Sequence, residues 1–248
     1  MKKQLLCLCL LLLSITLTKA QDYPEMISVE GGTFTMGDTE MEGEKNEQPA
    51  HEVTVKSFKI AKTETTVAQW KAYCRATGRK MPEAPSWGWI DTHPIVNVNY
   101  DDAVGYCDWL SETKDANYRL PTEAEWEFAA RGGNLTKGTK YSGGRSIDLL
   151  GVYEANSNNQ TAAVGSKKAN ELGIYDMGGN VWEWCKDWYG DYSSSAQSNP
   201  KGPASGSYRV LRGGSWYYAA AFCRVACRYI SSPENRSNYL GFRVLLSQ

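Results

Sequence analysis

The sequence predicts an α+β fold in which short mixed sheets and two or three helices are joined by much irregular loop. Three observations lead to this prediction. Nine tryptophans, fifteen tyrosines and 23 glycines indicate a core of aromatic side chains between irregular turns, because glycine adopts backbone conformations that other residues avoid. Several short segments alternate apolar and polar residues, as strands do. Only two or three segments combine helical apolar spacing with capping residues.

The N-terminus has the pattern of a signal peptide. Two lysines precede an apolar run from residue 5 to 17, and the small residue Ala20 follows it. The run is shorter than the roughly 20 residues that a membrane-spanning helix needs. No small residue stands just before Cys7 or Cys9, which argues against a lipid-anchored cysteine. We expect cleavage after residues 1–20, export to a periplasm or to the cell surface or extracellular space, and no transmembrane segment afterwards.

The remaining residues, 21–248, predict a single domain, because no linker and no shift in charge divides them. The net charge is −1 without a basic run, so the electrostatic pattern of a nucleic-acid binder is absent. The two histidines stand in no metal-ligand or triad pattern. Five cysteines follow the signal peptide, and this odd number leaves at least one of them unpaired in a monomer.

The first predicted strands lie on either side of an acidic loop. The segment from residue 26 to 38 alternates around two glycines and predicts a strand pair or one strand with a bulge. The segment from His51 to Ile60 predicts another strand. The acidic residues from 40 to 47 are typical of a solvated loop.

The helices are predicted from their caps. Thr65 is placed to begin a helix that Gly78 ends. The segment from 93 to 112 predicts a short strand followed by a helix. Thr122 and Glu125 have the spacing of a capping box at the start of a third helix. The following region, from about residue 134 to 170, is polar and rich in glycine and asparagine, which favours loops.

Six segments in a fixed order carry a resemblance to a known family. They are GGTFTMGD, HPIVNVNYDDAVGYC, RLPTEAEWEFAARGG, DMGGNVWEW, RVLRGGSW and GFRV. Together they resemble the formylglycine-generating enzyme, or sulfatase-modifying factor, domain over nearly all of the mature chain. Any one segment alone would be a weak signal, whereas their combined order is specific. The resemblance implies a variant of the C-type lectin fold.

The resemblance also implies a calcium site. The matching positions are Asp176, Gly179, Val181 and Glu183, two of which bind through backbone carbonyls in the family. Calcium needs several oxygen ligands, and a glycine-rich turn lets carbonyls converge on it. The alternative is that the two carboxylates only accept hydrogen bonds from loop backbone. A second family site uses positions matching Asn156 and Ser157, but its downstream carboxylate has no counterpart here.

Family catalysis oxidises a substrate cysteine to formylglycine with copper held by two cysteines after the Gly-Gly-Ser motif, since soft thiolates select Cu(I). Counted from Ser215, these positions are Tyr218 and Cys223. A phenol does not replace a thiolate for Cu(I), so the mechanism would need Cys227 as its second sulfur. The simpler alternative makes both cysteines small buried hydrophobes. Ser215 matches a family residue near the substrate thiol, or else its hydroxyl satisfies backbone groups of its loop.

The segment after Trp216 carries a second resemblance. Arginines, a proline, an asparagine and a glycine alternate there with Tyr, Ala, Ser, Phe and Ile, similar to the C-terminal variable region of retroelement-diversified proteins. Tyrosine and serine suit a binding surface, because tyrosine gives large contacts at low entropic cost. The predicted ligand-binding residues are Tyr217, Tyr218, Phe222, Tyr229 and Tyr239. Alternatively, some of these aromatics fill the core.

These patterns favour an exported, non-catalytic protein that binds a protein or glycan ligand through its C-terminal surface, with calcium stabilising the loops. One alternative is a formylglycine-generating oxidase that holds copper with Cys223 and Cys227. Another alternative is an accessory component of a cell-envelope machine. The phenol at Tyr218 argues against the oxidase, because it removes one of the two copper ligands.

Overall fold

A computed structural model describes residues 22–247 of the chain. The predicted signal peptide lies outside this range. The described part forms three α-helices, α1 (Val67–Thr77), α2 (Tyr100–Lys114) and α3 (Glu123–Ala130). Its strands are β1 (Met26–Val29), β2 (Gly32–Met36), β3 (His51–Val55), β4 (Phe58–Ala61), β5 (Tyr118–Arg119), β6 (Trp182–Trp188), β7 (Gln197–Ser198), β8 (Arg209–Arg212), β9 (Arg228–Ser231), β10 (Leu240–Gly241) and β11 (Leu245–Ser247).

The strands form three sheets. One sheet has the order β1-β4-β11-β5, a second has the order β10-β6-β8-β9, and a third has the order β2-β3-β7. The β10-β6 and β3-β7 pairs are parallel, whereas the other pairs are antiparallel. Leu245 of β11 lies opposite both Ile60 and Arg119, so the last strand lies inside the sheet that has the first strand at its edge. The predicted α+β fold with mixed sheets and much loop is confirmed.

The segment from residue 26 to 36 forms two strands that do not pair with each other. β1 pairs with β4, and β2 pairs with β3. Gly31 lies between them at a close crossing, because a Cβ there would stand 2.5 Å from the carbonyl oxygen of Val55. The chain therefore passes from one sheet to another at this glycine, which local alternation of residues does not reveal.

The helix starts follow their capping chemistry. Thr66, rather than Thr65, caps α1, and its hydroxyl accepts the amide of Gln69 at 3.2 Å. The predicted box at α3 is confirmed, since the amide of Thr122 donates to Glu125 at 2.8 Å and the reciprocal bond is present. No helix in the range 22–247 is long and apolar enough to cross a membrane.

Strand β6 lies between two apolar clusters. Trp182 and Trp184 pack with α1 and α2, where Trp70 stacks on Tyr106 at 5.8 Å between ring centroids. Cys185, on the other face of β6, packs with the cluster around α3. Because side chains alternate along a strand, this one strand supplies both halves of the core.

Among the described residues, four buried ion pairs fix the segment from Arg212 to Arg243 to earlier parts of the chain. They are Arg212 with Glu127, Arg224 with Glu47, Arg228 with Glu123 and Arg243 with Glu183. The arginines also donate to carbonyl oxygens, as Arg212 does to Val225 at 2.8 Å and to Cys227 at 2.7 Å. Such additional bonds are what make burial of an ion pair tolerable. These contacts set the path of the chain through the candidate site.

Candidate functional site

The Gly-Gly-Ser turn follows β8 and brings a thiol against its backbone. Gly213 and Gly214 have φ of 102° and 77°, a left-handed conformation that glycine adopts without strain. A Cβ on Gly214 would stand 2.8 Å from the Sγ of Cys223, so this thiol packs directly on the turn. Ser215 is fully buried, and its hydroxyl accepts the amide of Tyr217 at 3.3 Å. The serine hydroxyl is therefore engaged within the turn.

The structure brings the five predicted ligand-binding side chains together on one surface. We call this group the aromatic surface, and its members are Tyr217, Tyr218, Phe222, Tyr229 and Tyr239. The ring of Tyr218 is central, with centroid distances of 5.2 Å to Phe222, 5.8 Å to Tyr229 and 5.6 Å to Tyr239. Tyr217 stacks on Tyr239 at 5.9 Å. Residues up to 22 positions apart in the chain thus form one continuous patch.

Trp182 forms the floor of the aromatic surface. Its ring is fully buried and stacks on Tyr229 at 5.2 Å between centroids. Its indole N–H has no hydrogen-bond partner among the described residues. Tyr217 is 60% exposed and Tyr229 is 36% exposed, whereas the other three members are half-buried against the core. The surface therefore combines rings open to solvent with rings fixed by packing.

Tyr218 remains a neutral phenol. Burial raises its pKa, and the neighbouring phenols of Tyr229 and Tyr239 raise it further. A buried group in contact with other neutral rings favours its uncharged form. Tyr218, which the sequence resemblance assigns to the family's first copper position, is therefore a packed aromatic side chain and not an anionic group.

The two candidate catalytic thiols are buried. Cys223 and Cys227 are 0% and 4% exposed. Burial raises the pKa of both thiols, that of Cys227 to about 12, and the proximity of Cys227 contributes to the rise at Cys223. All five cysteines in the range 22–247 are free thiols. Because the thiolate is the nucleophile and the metal ligand, these two residues are in an unreactive state at neutral pH.

The predicted calcium residues contribute to a cluster of buried carboxylates. Glu183 accepts two bonds from Arg243, at 2.7 and 2.8 Å, and one from the indole of Trp126 at 2.9 Å. One oxygen of Asp176 accepts the amide of Gly165 at 2.7 Å. Asp176 thus accepts a hydrogen bond from loop backbone, whereas Glu183 accepts hydrogen bonds from two side chains.

The carboxylate cluster also has unbalanced charge. Glu64 is buried and accepts the amide of Val181 at 3.1 Å, and its pKa is raised well above the usual range, first by burial and then by Asp176 and Glu183. Burial raises the pKa of Asp176 to about 6. Three carboxylates thus face one guanidinium, that of Arg243. A divalent cation with oxygen ligands would offset this excess of negative charge.

The fit for calcium depends on the backbone. Within residues 22–247, no three or more His, Cys, Asp and Glu side chains have the arrangement of a metal site. The turn that carries Asp176 and Gly179 has φ of 59° and 103° at these residues, a left-handed backbone conformation. A calcium ion here would therefore rely on carbonyl oxygens together with the carboxylate of Asp176.

The residues predicted from the resemblance for a second calcium site are engaged within their own turn. The side-chain oxygen of Asn156 accepts the amide of Tyr153 at 2.9 Å, and its NH₂ group donates to Gly151 at 3.1 Å. The hydroxyl of Ser157 accepts the amide of Asn159 at 3.2 Å. These contacts stabilise a turn, and they occupy both the side-chain oxygen and the NH₂ group of Asn156.

Two residues of the site were not foreseen from the sequence. Glu64 bonds to Asn180 and Val181, 116 and 117 residues away, and no local pattern marks such a contact. Trp182 lies within the NVWEW segment, which carries the family resemblance but does not indicate which aromatic ring lies beneath the surface. Both positions depend on long-range packing.

Comparisons with known proteins agree with this geometry. Residues 14–248 match the Sulfatase-modifying factor enzyme 1-like domain, FGE-sulfatase. The chain belongs to this family. The formylglycine-generating enzyme of Streptomyces coelicolor is 33% identical over 88% of this chain and 87% of its own length. The serine/threonine-protein kinase pkn1 of Chlamydia caviae is 36% identical over 89% of this chain, which spans only 38% of that protein.

A solved structure supports the same fold for this sulfatase-modifying factor protein. Treponema denticola variable protein 1 aligns with a TM-score of 0.79 at 30% identity, covering 90% of this chain and 95% of that protein. The C-type-lectin-like fold that the sequence resemblance implied is thereby confirmed. The resemblance itself, to formylglycine-generating enzymes and to variable proteins, is confirmed as well.

Proposed function

We propose that this sulfatase-modifying factor protein is an exported, non-catalytic binder that contacts a protein or glycan ligand through its aromatic surface. One observation carries the proposal, which is the convergence of Tyr217, Tyr218, Phe222, Tyr229 and Tyr239 over the buried ring of Trp182. Tyrosine gives rigid contact area with few rotatable bonds, and aromatic residues dominate binding energy at interfaces.

The state of the copper positions supports a non-catalytic function. Tyr218 fills the first of the two positions with a neutral ring, and Cys223 is buried with a raised pKa. Cys227 is buried as well, and Arg212 donates to its carbonyl oxygen at 2.7 Å. A pair of thiolates open to a substrate thiol is what the family mechanism needs, and neither buried thiol provides this.

The arrangement of β9 supports a surface whose residues are exchangeable. Arg228 points to the buried Glu123, whereas the next residue, Tyr229, points to the opposite face and stacks on Trp182. Side chains on the outer face therefore change without disturbing the ion pairs beneath. We propose that the aromatic surface is diversified by a retroelement. A neighbouring reverse transcriptase gene with a near-copy of the last coding stretch supports this, and absence of both refutes it.

Ligand binding is tested on the mature protein with a glycan array and with cross-linking to extracellular proteins. We expect the double variant Tyr217→Ala/Tyr229→Ala to weaken binding of the identified ligand by about tenfold or more. Each of these exposed aromatic side chains is expected to contribute about 1 kcal/mol or more. Tyr208→Ala is the matched control, because Tyr208 is 48% exposed and lies outside the aromatic surface. Unchanged binding by the double variant would contradict the proposal.

The oxidase alternative has a separate test. Purified protein is titrated with Cu(I) and incubated with a peptide carrying a sulfatase-type cysteine, and the aldehyde is sought by mass spectrometry. We expect neither tight stoichiometric copper nor aldehyde. Catalytic turnover would instead establish the protein as a formylglycine-generating oxidase that uses Cys223 and Cys227.

Calcium is proposed as a structural cofactor of the loop at Asp176. The excess of buried carboxylates around Arg243 supports it. Removal of calcium by a chelator is expected to lower the melting temperature, because a ligand of the folded state stabilises that state. Asp176→Asn is expected to remove this sensitivity, and the exposed Asp108→Asn serves as the matched control. A melting curve that chelator leaves unchanged would refute the calcium proposal.

Export is proposed from the signal-peptide pattern of residues 1–20. The mass of the protein recovered from a periplasmic or culture fraction is expected to correspond to a chain that begins at Gln21. Cross-linking in intact cells tests the remaining alternative, an accessory component of a cell-envelope machine. A fixed set of envelope proteins that persists in the double variant of the aromatic surface would favour that alternative.

A further inference from the structure

A cavity lies on the other side of β9 from the aromatic surface. Its volume is about 510 Å³, and it lies beneath the loop that follows β6. Arg228 lines it, whereas the adjacent Tyr229 belongs to the aromatic surface, and consecutive strand residues face opposite sides. A volume of this size accommodates a small organic molecule. The cavity is therefore a candidate site separate from the one proposed above.

The positive charge of the cavity floor is already neutralised. Arg228 donates to both oxygens of Glu123, at 2.6 and 2.8 Å, and to the carbonyls of Asn46 and Gly190 at 2.7 and 3.1 Å. The hydroxyl of Tyr192 donates to the same carboxylate at 3.2 Å. All three nitrogens of the guanidinium are thus in use within the protein. The floor does not offer this arginine to an anionic ligand.

Asp187 is the buried acidic group of the floor without a basic side-chain partner. It is 4% exposed, and one of its oxygens accepts the amide of Glu123 at 3.0 Å. Its other oxygen has no hydrogen bond to any of the described residues. This oxygen is not completely enclosed by protein atoms. Since Asp187 lines the cavity, this oxygen faces the empty space. It is an acceptor in need of a donor.

His51 adds a second acceptor to the cavity. Its Nδ1 lies 3.0 Å from the carbonyl oxygen of Pro49, and a carbonyl only accepts, so Nδ1 carries the hydrogen of the neutral ring. The other nitrogen, Nε2, is then an acceptor, and His51 lines the cavity. The rim carries one acidic and one basic residue, Asp191 and Lys201, both exposed. The unused groups of the floor therefore favour a ligand that donates hydrogen bonds.

The walls of the cavity are mixed. Four apolar residues, Met36, Trp188, Pro200 and Pro203, contribute to them beside polar ones such as Gln197 and Ser198. The cavity volume of about 510 Å³ is far larger than a single metal ion needs. For comparison, one water molecule occupies about 30 Å³ in the liquid. Apolar wall residues next to an acceptor suit a cationic nitrogen on a short hydrocarbon chain.

We propose that this cavity binds a small organic cation with N–H donors, either a primary amine or a guanidine, with its charged head against Asp187 and its hydrocarbon part along Trp188 and Met36. The site is independent of ligand binding at the aromatic surface. A cation placed at Asp187 supplies the missing counter-charge, and the neighbouring Nε2 of His51 accepts a second N–H.

The acidity of Asp187 provides an additional readout. Burial, and then the charge of Glu123, raise the pKa of Asp187 to about 7. The other titratable groups around it are Glu123, Glu125, Arg209, Arg228, His51, Tyr100, Cys185, Tyr192, Asp191 and Lys201. A cation binds the ionised carboxylate, so binding in the acidic range must first remove a proton. Affinity is therefore expected to rise as the pH increases through about 7.

Calorimetric titration of the mature protein with cadaverine and with agmatine tests the proposal, and the two probes distinguish an amine site from a guanidine site. We expect binding of at least one. Tetramethylammonium, which has charge without N–H, and 1,5-pentanediol, which has no charge, are expected to bind at least about tenfold more weakly. Asp187→Asn is expected to weaken binding about tenfold or more, whereas the exposed Asp108→Asn leaves it unchanged.

A second variant protects the test against misfolding at Asp187. Gln197→Trp places a bulky ring in the cavity from its β7 wall without changing any charge, and it is expected to abolish cation binding. Circular dichroism verifies that each variant is folded. Failure of both cations to bind the wild-type protein at millimolar concentration would overturn the proposal, and so would equal affinity in Asp187→Asn.

Discussion

Arg228 and Glu123 lie 105 residues apart in the chain and form a buried two-point ion pair, with Nε to Oε1 at 2.6 Å and Nη2 to Oε2 at 2.8 Å. The pair joins β9 to the first turn of α3. It fixes which face of β9 is buried, and the next residue, Tyr229, consequently points to the aromatic surface. The ion pair thus separates the framework of the C-terminal segment from the side chains that the segment presents.

The ion pair is expected to matter far more for stability than the adjacent tyrosine. Glu123→Gln leaves the guanidinium of Arg228 buried without its counter-charge, which costs about 3–5 kcal/mol in the free energy of unfolding. Tyr229→Ala removes a ring that is 36% exposed and is expected to cost about 2 kcal/mol or less. Urea unfolding monitored by circular dichroism measures both. A larger loss for Tyr229→Ala would show that the aromatic surface is part of the framework.

Asp187 is expected to make the stability of the protein depend on pH. Its folded pKa of about 7 lies above the ordinary value of 3.8, so the folded state binds more protons between these values and loses stability as the pH rises through about 7. Asp187→Asn keeps the acceptor for the Glu123 amide without the charge. It is therefore expected to be more stable than wild type at pH 8, by up to about 4 kcal/mol.

The same comparison in acid is the control for Asp187. Below about pH 3 the wild-type carboxyl is protonated in both states, and the difference in unfolding free energy from Asp187→Asn is expected to vanish. A constant difference across the pH range would mean that the substitution acts through packing. A less stable variant at pH 8 would mean that a counter-charge already accompanies Asp187 in the protein.

Tyr218→Cys is expected to create a Cu(I) site. The substitution adds a thiol at the position that the resemblance pairs with Cys223, whose own side chain packs with Tyr141, Ile147 and Leu150 and against Gly214. Competition with a chelator for Cu(I) is expected to show stoichiometric binding by the variant and none by wild type. Tyr218→Ser is the matched control, since it opens the same space without adding sulfur. Equal copper affinity in the two variants would contradict the two-thiolate explanation.

Calcium-dependent stability is expected to disappear in mild acid. The pKa of Asp176 is raised to about 6 by burial, and protons compete with calcium for the carboxylate as the pH falls below this value. The rise in melting temperature on addition of calcium should therefore be large at pH 8 and small at pH 5. An increment that does not change between these pH values would place the ion away from Asp176.

The sequence by itself determined the features that depend on neighbours along the chain. Thr122 and Glu125 define the start of α3 because a capping box joins residues three positions apart. The ordered motifs indicated the family, and the family model confirms it. The aromatic residues of the aromatic surface were also identified, since four of the five lie within one segment of 13 residues, from 217 to 229.

Only the tertiary structure decided which distant residues meet. It paired β1 with β4 instead of β2, placed Glu64 beside Val181, and left the carboxyl of Asp187 facing a cavity. These outcomes depend on packing between elements about 30 residues apart or more, whereas sequence periodicity reports only which face of an element is apolar. Which partner a buried charged side chain contacts is therefore set by the whole fold.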